Sequence, residues 1–187
     1  SSSDVFAVGY LAGGVVQHHD GSSWLSMDPG ATGWLHDVWG SAADDVWAVG
    51  ADGTSGVIVH YDGASWSAVD TGLGAVRMLY GVWGSSATDL FVAGAGEILH
   101  YDGVTWSAMP TSAPEWRWGI AGRGPKDVYA VGEGGTILHY DGQAWSPMES
   151  GTTYRLESVW GSSGSDVFAV GWGATILHYD GKAWSDM

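Results

Sequence analysis

The sequence predicts an all-β fold, a β-propeller of four-stranded antiparallel blades, with about five blades encoded. One unit of about forty residues recurs along the chain, a period typical of propeller blades. Each unit holds short apolar runs bounded by glycine or Asp-Gly, which favours short strands joined by tight turns. No stretch has the periodicity of a helix. The clearest marker of the unit, an aspartate followed by four apolar residues and a glycine, occurs at Asp4–Gly9, Asp45–Gly50, Asp89–Gly94, Asp127–Gly132 and Asp166–Gly171.

Four strand types follow one another in each unit. The inner strand reads Leu-x-x-Val-Trp-Gly, the second strand carries the marker, the third reads Gly-x-Ile-Leu-His-Tyr-Asp-Gly, and the outer reads Trp-Ser-x-Met. The first unit lacks an inner strand, and the fourth has Ala121 where the others have tryptophan. The predicted repeats within this single domain or propeller segment are 1–34, 35–78, 79–116, 117–155 and 156–187.

Both faces of the predicted second and third strands are apolar. In the fourth unit, Val128 and Ala130 lie on one face, and Tyr129 and Val131 on the other. A strand with one solvated face would alternate apolar and polar residues, whereas a propeller blade packs against a neighbour through both faces. We therefore expect the repeated tryptophans to be buried between blades: Trp66, Trp106, Trp145 and Trp184 on outer strands, and Trp39, Trp83 and Trp160 on inner strands.

The missing first inner strand leaves closure of the ring open. A propeller closes when one terminus completes the blade begun at the other, but no inner strand follows Met187. We therefore predict that the chain is a segment of a longer array, a ring with one three-stranded blade, or a homo-oligomer that completes the ring between chains.

Composition restricts the classes of partner. The chain has 21 acidic and 6 basic residues and a formal net charge of −15, so its surface repels nucleic acid and anionic membrane. It has no cysteine for disulfides or thiolate metal sites, and no apolar run near the ~20 residues that span a bilayer. With 13 Trp and 31 Gly, the composition favours an extracellular or cell-surface protein whose signal peptide is removed or lies outside these residues.

The pattern VWGSSxxDVFAVGxxGTILHYDGxxW, read from these units, resembles the repeats of bacterial propeller proteins. It is also similar to tectonin-type lectin repeats, in which a Val-Gly strand, a Val-Trp-Gly strand and an Ile-Tyr strand precede Gly-x-x-Trp. Residues 62–66, Asp-Gly-Ala-Ser-Trp, resemble the Asp-box of sialidase-like propellers but are one residue shorter. The resemblance covers nearly the whole chain and implies a propeller fold. Because one fold supports many functions, lectin activity is one of those it suggests.

Two recurring polar positions invite metal hypotheses, and we interpret both as structural. Equivalent positions of neighbouring blades lie too far apart to share a zinc ion, so the histidines are expected to hydrogen-bond within the fold. The Asp-Gly pairs match turn chemistry and lack the carboxylate spacing of a calcium loop, so neither a metal nor a cofactor is expected. The histidines are His18, His60, His100, His139 and His178, and the Asp-Gly pairs begin at Asp20, Asp62, Asp102, Asp141 and Asp180.

No catalytic constellation is visible, and we do not expect an enzyme. A propeller glycosidase needs two carboxylates that converge about 5–9.5 Å apart. Asp37 and Glu157 are the acidic residues that interrupt the inner strands, and they occupy different registers.

The residues that break the repeat indicate a binding site. The second–third turns and the outer–inner loops emerge on one face, because alternate strands run in opposite directions. Aromatic residues there either recognise a ligand or fill gaps between loops and blades. We predict a non-enzymatic module, most simply a carbohydrate-binding one, with a structural or protein-interaction propeller inside a larger secreted or surface protein as the alternative. The candidate ligand-binding residues are Tyr10, Trp34, Trp116, Trp118 and Trp172, with Trp172 the strongest.

Overall fold

The computed structural model describes residues 4–10, 14–111 and 115–187, and these residues form five antiparallel sheets, one after another along the chain. The predicted all-β propeller architecture is confirmed. The first sheet holds β1 (Val5–Gly9), β2 (Val15–His19) and β3 (Trp24–Met27). The second holds β4 (Trp34–Ala42), β5 (Asp45–Asp52), β6 (Ser55–Tyr61) and β7 (Trp66–Ala68). The third holds β8 (Leu79–Ser86), β9 (Asp89–Gly94), β10 (Ile98–Tyr101) and β11 (Trp106–Met109). The fourth holds β12 (Arg117–Gly124), β13 (Asp127–Gly132), β14 (Ile137–Tyr140) and β15 (Trp145–Met148). The fifth holds β16 (Leu156–Ser163), β17 (Asp166–Gly171), β18 (Ile176–Tyr179) and β19 (Trp184–Asp186).

Each Asp-Gly pair makes the turn between a third and an outer strand. In the second blade, Asp62 Oδ1 accepts hydrogen bonds from the backbone N–H groups of Ala64 and Ser65, both at 2.9 Å. Gly63 has a φ of +90°, which only glycine adopts without strain. These aspartates therefore act as turn formers.

The aspartate that leads each second strand anchors the histidine of the third strand. Asp45 Oδ1 lies 2.7 Å from His60 Nε2, and its other oxygen accepts a hydrogen bond from the Ser41 hydroxyl. Because the serine bonds to the carboxylate and not to the imidazole, this is no nucleophile–base pair. In the fourth blade, Arg123 replaces the serine at Asp127. The same pairing joins His18 to Asp4, His100 to Asp89, His139 to Asp127 and His178 to Asp166.

The network around Asp45 makes stability depend on pH. Partial burial opposes ionisation of this carboxyl, but hydrogen bonds from Ser41, His60 and Trp47 outweigh it and lower its pKa. A lowered pKa in the folded state stabilises the fold above the unfolded value near 4, and the contribution is lost as the pH falls through the folded value. Asp45→Asn should therefore lower the free energy of unfolding by about 1–3 kcal/mol at pH 7 and by less at pH 3. Urea titrations at both pH values, with exposed Asp44→Asn as control, test this, and an equal loss at both would contradict it.

Consecutive blades pack through both faces, as predicted. The inner strands of neighbouring blades lie against each other, and a tryptophan of one blade covers a glycine of the next. A Cβ atom on Gly84 would lie 2.6 Å from the Trp39 indole, and one on Gly122 would lie 2.7 Å from the Trp83 indole. We call the side that carries these tryptophans the forward face of a blade, and the opposite side its backward face. The outer-strand tryptophans Trp66, Trp106, Trp145 and Trp184 are buried, as predicted.

The prediction that Trp160 is buried is wrong, and Trp39 and Trp83 are only half-buried. Trp160 lies on the forward face of the fifth blade and is 61% exposed. No blade among the described residues covers that face, because the five sheets form an open arc in which β16 does not pack extensively on β1.

Candidate functional site

Each inner strand contains a β-bulge at the residue that follows Leu35, Leu79, Arg117 or Leu156. The pairing between β4 and β5 passes from Leu35 to Asp37, so His36 has no partner residue. Tyr80, Trp118 and Glu157 are left out of their ladders in the same way. A bulge turns its extra side chain away from the regular alternation of the strand. The four bulged residues lie near the ends of the second strands, on the face that carries the second–third turns and outer–inner loops, which we call the loop face.

The bulged residues begin a series of contacting side chains that crosses the second to fifth blades. The rings of His36 and Tyr80 lie 5.1 Å apart, and those of Tyr80 and Trp118 lie 4.3 Å apart. The Arg155 guanidinium lies 4.3 Å from the Trp118 ring and 4.2 Å from the Trp172 ring. We call these five residues the aromatic row. A cation between two indoles is attracted to both ring faces, which fixes the position of Trp172 relative to Trp118.

Two glutamates hold the end of the row in place. Glu157 forms an ion pair with Arg155, and Glu133 lies 3.9 Å from the same guanidinium. The Trp118 Nε1–H donates to Glu133 at 3.0 Å, and the Trp172 Nε1–H donates to Glu157 at 2.9 Å. The hydrogen bond from Arg155 lowers the pKa of Glu157, assisted by Trp172 and opposed by slight burial. Both carboxylates therefore have partners within the chain.

Backbone contacts fix the turns against the loops. The N–H of Glu133 donates to the Trp116 carbonyl, and the N–H of Trp172 donates to the Arg155 carbonyl, both at 2.9 Å. A Cβ atom at Gly132, just before the first of these turns, would lie 2.1 Å from the Trp116 oxygen. The glycine that ends the second strand is thus required, because a side chain there would prevent the Trp116 backbone from lying against the strand.

The five candidate residues from the sequence fall into two groups on the loop face. Trp118 and Trp172 belong to the aromatic row, and Trp116 lies beside it, 5.7 Å from Trp118. Tyr10 and Trp34 form a separate pair, with their rings 4.5 Å apart, at the junction of the first and second blades. All except Trp118 are exposed.

Trp172 has contacts within its own chain, since Arg155 lies over its ring and its indole N–H donates to Glu157. Sequence reasoning missed His36, Tyr80 and Arg155 as parts of a site. The available signal was the second residue of the predicted inner strand, which is His, Tyr, Trp or Glu in strands that otherwise follow one pattern.

Clefts between neighbouring blades open on the same face. One cleft of about 390 Å³ is lined by Glu115, Thr136, Glu149 and Thr152, among others. A second cleft of about 250 Å³ lies between Ser150, Tyr154 and Thr175. Within the described residues, no group of three His, Cys, Asp or Glu side chains could hold a metal ion. In the same part of the chain, no helix has both the length and the apolar character needed to cross a bilayer.

No protein-family model matches the chain, and no curated protein matches it, so the similarity to tectonin-type repeats stays a prediction. Solved propeller structures do resemble it. A structure of YCF48 bound to D1 peptide has a TM-score of 0.73 at 18% identity, covering 99% of this chain and 63% of that chain. YCF48 from Cyanidioschyzon merolae has a TM-score of 0.71 at 15% identity, covering 100% of this chain and 67% of that one. An ancestral GH74 enzyme has a TM-score of 0.73 at 15% identity, covering 98% and 31%. At these identities the likeness establishes the propeller fold alone.

Proposed function

We propose that this protein is a non-enzymatic binding module that holds an extended protein segment against the aromatic row on its loop face. The main observation is the row itself, in which the second to fifth blades each contribute a residue that contacts the next one, with His36 and Trp172 exposed and Tyr80 buried between them. Its exposed members, together with exposed Trp116 beside it, suit an elongated ligand, because side chains along the segment meet successive blades. The similar YCF48 structure is described as bound to a peptide, which supports this choice of ligand class.

The positions of the acidic side chains support a non-enzymatic role. Glu133 and Glu157 are engaged by Arg155 and by indole N–H groups, so neither is poised as a free acid or base. Burial raises the pKa of Asp37, whose carboxylate accepts hydrogen bonds from the backbone N–H groups of Val38 and Val82, both at 2.9 Å. That carboxyl ties the second blade to the third. We accordingly assign these acids to structure and not to catalysis.

The charge of the protein indicates which segments it prefers. With a net charge of −15, the surface attracts cationic segments. The row already shows how this protein holds a guanidinium, between indole faces and beside carboxylates. A ligand arginine or lysine can use the same chemistry on exposed Trp172 and Trp116.

Carbohydrate binding is the second candidate, and the exposed indole of Trp172 next to the Glu157 carboxylate favours it. An indole face stacks on a sugar ring while a carboxylate accepts hydroxyl hydrogen bonds. Trp118 is less suited to this role, because Tyr80 and Arg155 both contact its ring.

On composition alone, we also propose an extracellular or cell-surface location.

Paired arrays separate the two candidates. The purified chain is applied to a peptide array that varies net charge and aromatic content, and to a glycan array. We expect binding to basic peptides that weakens as salt is raised, since charge attraction is screened. Binding to glycans alone would replace the first proposal with the second, and binding to neither would contradict both.

Trp172→Ala should weaken binding of the best peptide several-fold while leaving the melting temperature nearly unchanged. The side chain is 57% exposed, so its removal costs little packing, but it supplies the outer end of the row. Trp172→Phe keeps an aromatic face without the indole N–H and should lose less affinity. Fluorescence anisotropy with a labelled peptide measures this. A variant that unfolds, or that binds like the parent, would show that Trp172 is only packing.

A further inference from the structure

The forward face of the fifth blade is apolar and open. The side chains of Trp160, Val170, Ile176 and Met187 are all exposed there. The corresponding positions of the fourth blade, such as Val131 and Ile137, are buried against the fifth blade. The fifth blade therefore keeps the apolar residues of a packed face where the structure places nothing against them.

The internal junctions show what covers such a face. Trp47, Val49 and Ile58 on the forward face of the second blade pack against Leu90 and Trp106 of the third. The inner-strand tryptophan reaches over to a glycine on the neighbouring inner strand, Trp39 to Gly84 and Trp83 to Gly122. A forward face that carries this tryptophan is thus covered by an apolar sheet with a glycine opposite the indole.

The backward face of the first blade does not offer that complement. Gln17 stands where the other third strands have Val59, Leu99, Leu138 and Leu177, and it donates a hydrogen bond to Ser26. His19 stands where the other blades have a tyrosine. The first sheet also has no inner strand to present a glycine to Trp160. The open backward face of the first blade thus keeps apolar Val5 and Trp24, which are 41% and 52% exposed, but it lacks an inner strand and has two polar replacements.

We propose that the forward face of the fifth blade is a docking face for one further blade of the same repeat type, joined to it by an outer–inner loop. The docked blade carries a glycine opposite Trp160, a third-strand valine or leucine as at Val59, Leu99, Leu138 and Leu177, and the outer-strand tryptophan. A second copy of this chain is a poorer occupant, since its open backward face has Gln17 and His19. This inference is independent of the proposed ligand site, because it concerns a blade face and not the loop face.

An extended chain tests the proposal. Residues 149–155 are placed after Met187 as the loop, followed by a second copy of residues 79–109, whose first copy packs against the second blade. Hydroxyl-radical footprinting with mass spectrometry then reports the oxidation of Trp160. We expect its oxidation rate to fall several-fold, to that of Trp39, and the melting temperature to rise. The matched control is the same extension with Gly84→Leu in the second copy, which blocks the seat of the indole.

Two results would overturn this proposal. Trp160 that oxidises equally fast in the parent, the extended chain and the control would show that the face does not accept a blade. The second result is a parent chain that forms a dimer by light scattering, in which Trp160 is protected from oxidation. If the Trp160→Glu variant is then a monomer, a second copy of the chain is the occupant of the face.

Discussion

Trp106→Ala is expected to lower the free energy of unfolding by about 3–5 kcal/mol, the cost typical of deleting a core aromatic side chain. Trp106 is 8% exposed and lies between the second and third blades. Its ring is 5.9 Å from Trp47 in an edge arrangement and 5.1 Å from Tyr101. Its removal therefore leaves a cavity at a blade junction and takes aromatic contacts from both neighbours. Urea unfolding followed by circular dichroism measures the loss.

The matched control is Trp24→Ala. Trp24 occupies the same position of the outer strand in the first blade, but it is 52% exposed because no blade packs on that side. The residue type and the repeat position are the same, so the difference between the two variants isolates burial between blades. We expect Trp24→Ala to cost less than about 1 kcal/mol. Equal losses would contradict inter-blade packing as the source of stability.

Arg155→Ala is expected to reduce affinity for a basic peptide about tenfold or more, the largest effect of any single change in the row. The guanidinium holds Trp118 and Trp172 together and neutralises Glu133 and Glu157. Without it, two carboxylates face each other and the indoles lose a stacking partner worth about 0.5–2 kcal/mol for each ring. Anisotropy titrations measure the affinity, and thermal melts report on the fold.

Two substitutions serve as controls for Arg155. Arg155→Lys keeps the charge but not the planar group that stacks between two rings, so it should fall between the parent and the alanine variant. Arg77→Ala removes an exposed arginine from an earlier outer–inner loop and should leave affinity unchanged or slightly raised, since it makes the surface more acidic. If Arg155→Ala behaves like Arg77→Ala, the sandwiched guanidinium does not organise the site.

The propeller fold could be predicted because every repeat has strands that are apolar on both faces. Both faces of β13 are apolar, as a strand between two blades requires, and the structure buries both. The same regularity led to the wrong prediction for Trp160, because a residue is buried only where a neighbouring blade exists. A repeated sequence shows which residues can pack between blades. Whether one of them is buried depends on whether a neighbouring blade lies against its face.

The site was predicted only in part, because its geometry depends on bulges that sequence patterns do not reveal. A bulged Tyr80 occupies the same place in the sequence as a regular strand residue, and only the pairing shows that it leaves the ladder. Arg155 lies in a loop of variable length, so its approach to Trp118 follows from tertiary contacts. Aromatic residues that break the repeat were visible in sequence, and two of those named, Trp118 and Trp172, belong to the row.

A comparison of Trp172→Ala with Trp160→Ala tests most directly whether the aromatic row is the binding site. Both indoles are well exposed, 57% and 61%, but one lies in the row on the loop face and the other on the forward face of the fifth blade. Anisotropy titrations of both variants with the best peptide from the array measure whether the row is the binding site. We expect a several-fold loss of affinity for Trp172→Ala and none for Trp160→Ala, with both variants melting like the parent. Equal losses, or a loss for Trp160→Ala alone, would contradict this expectation.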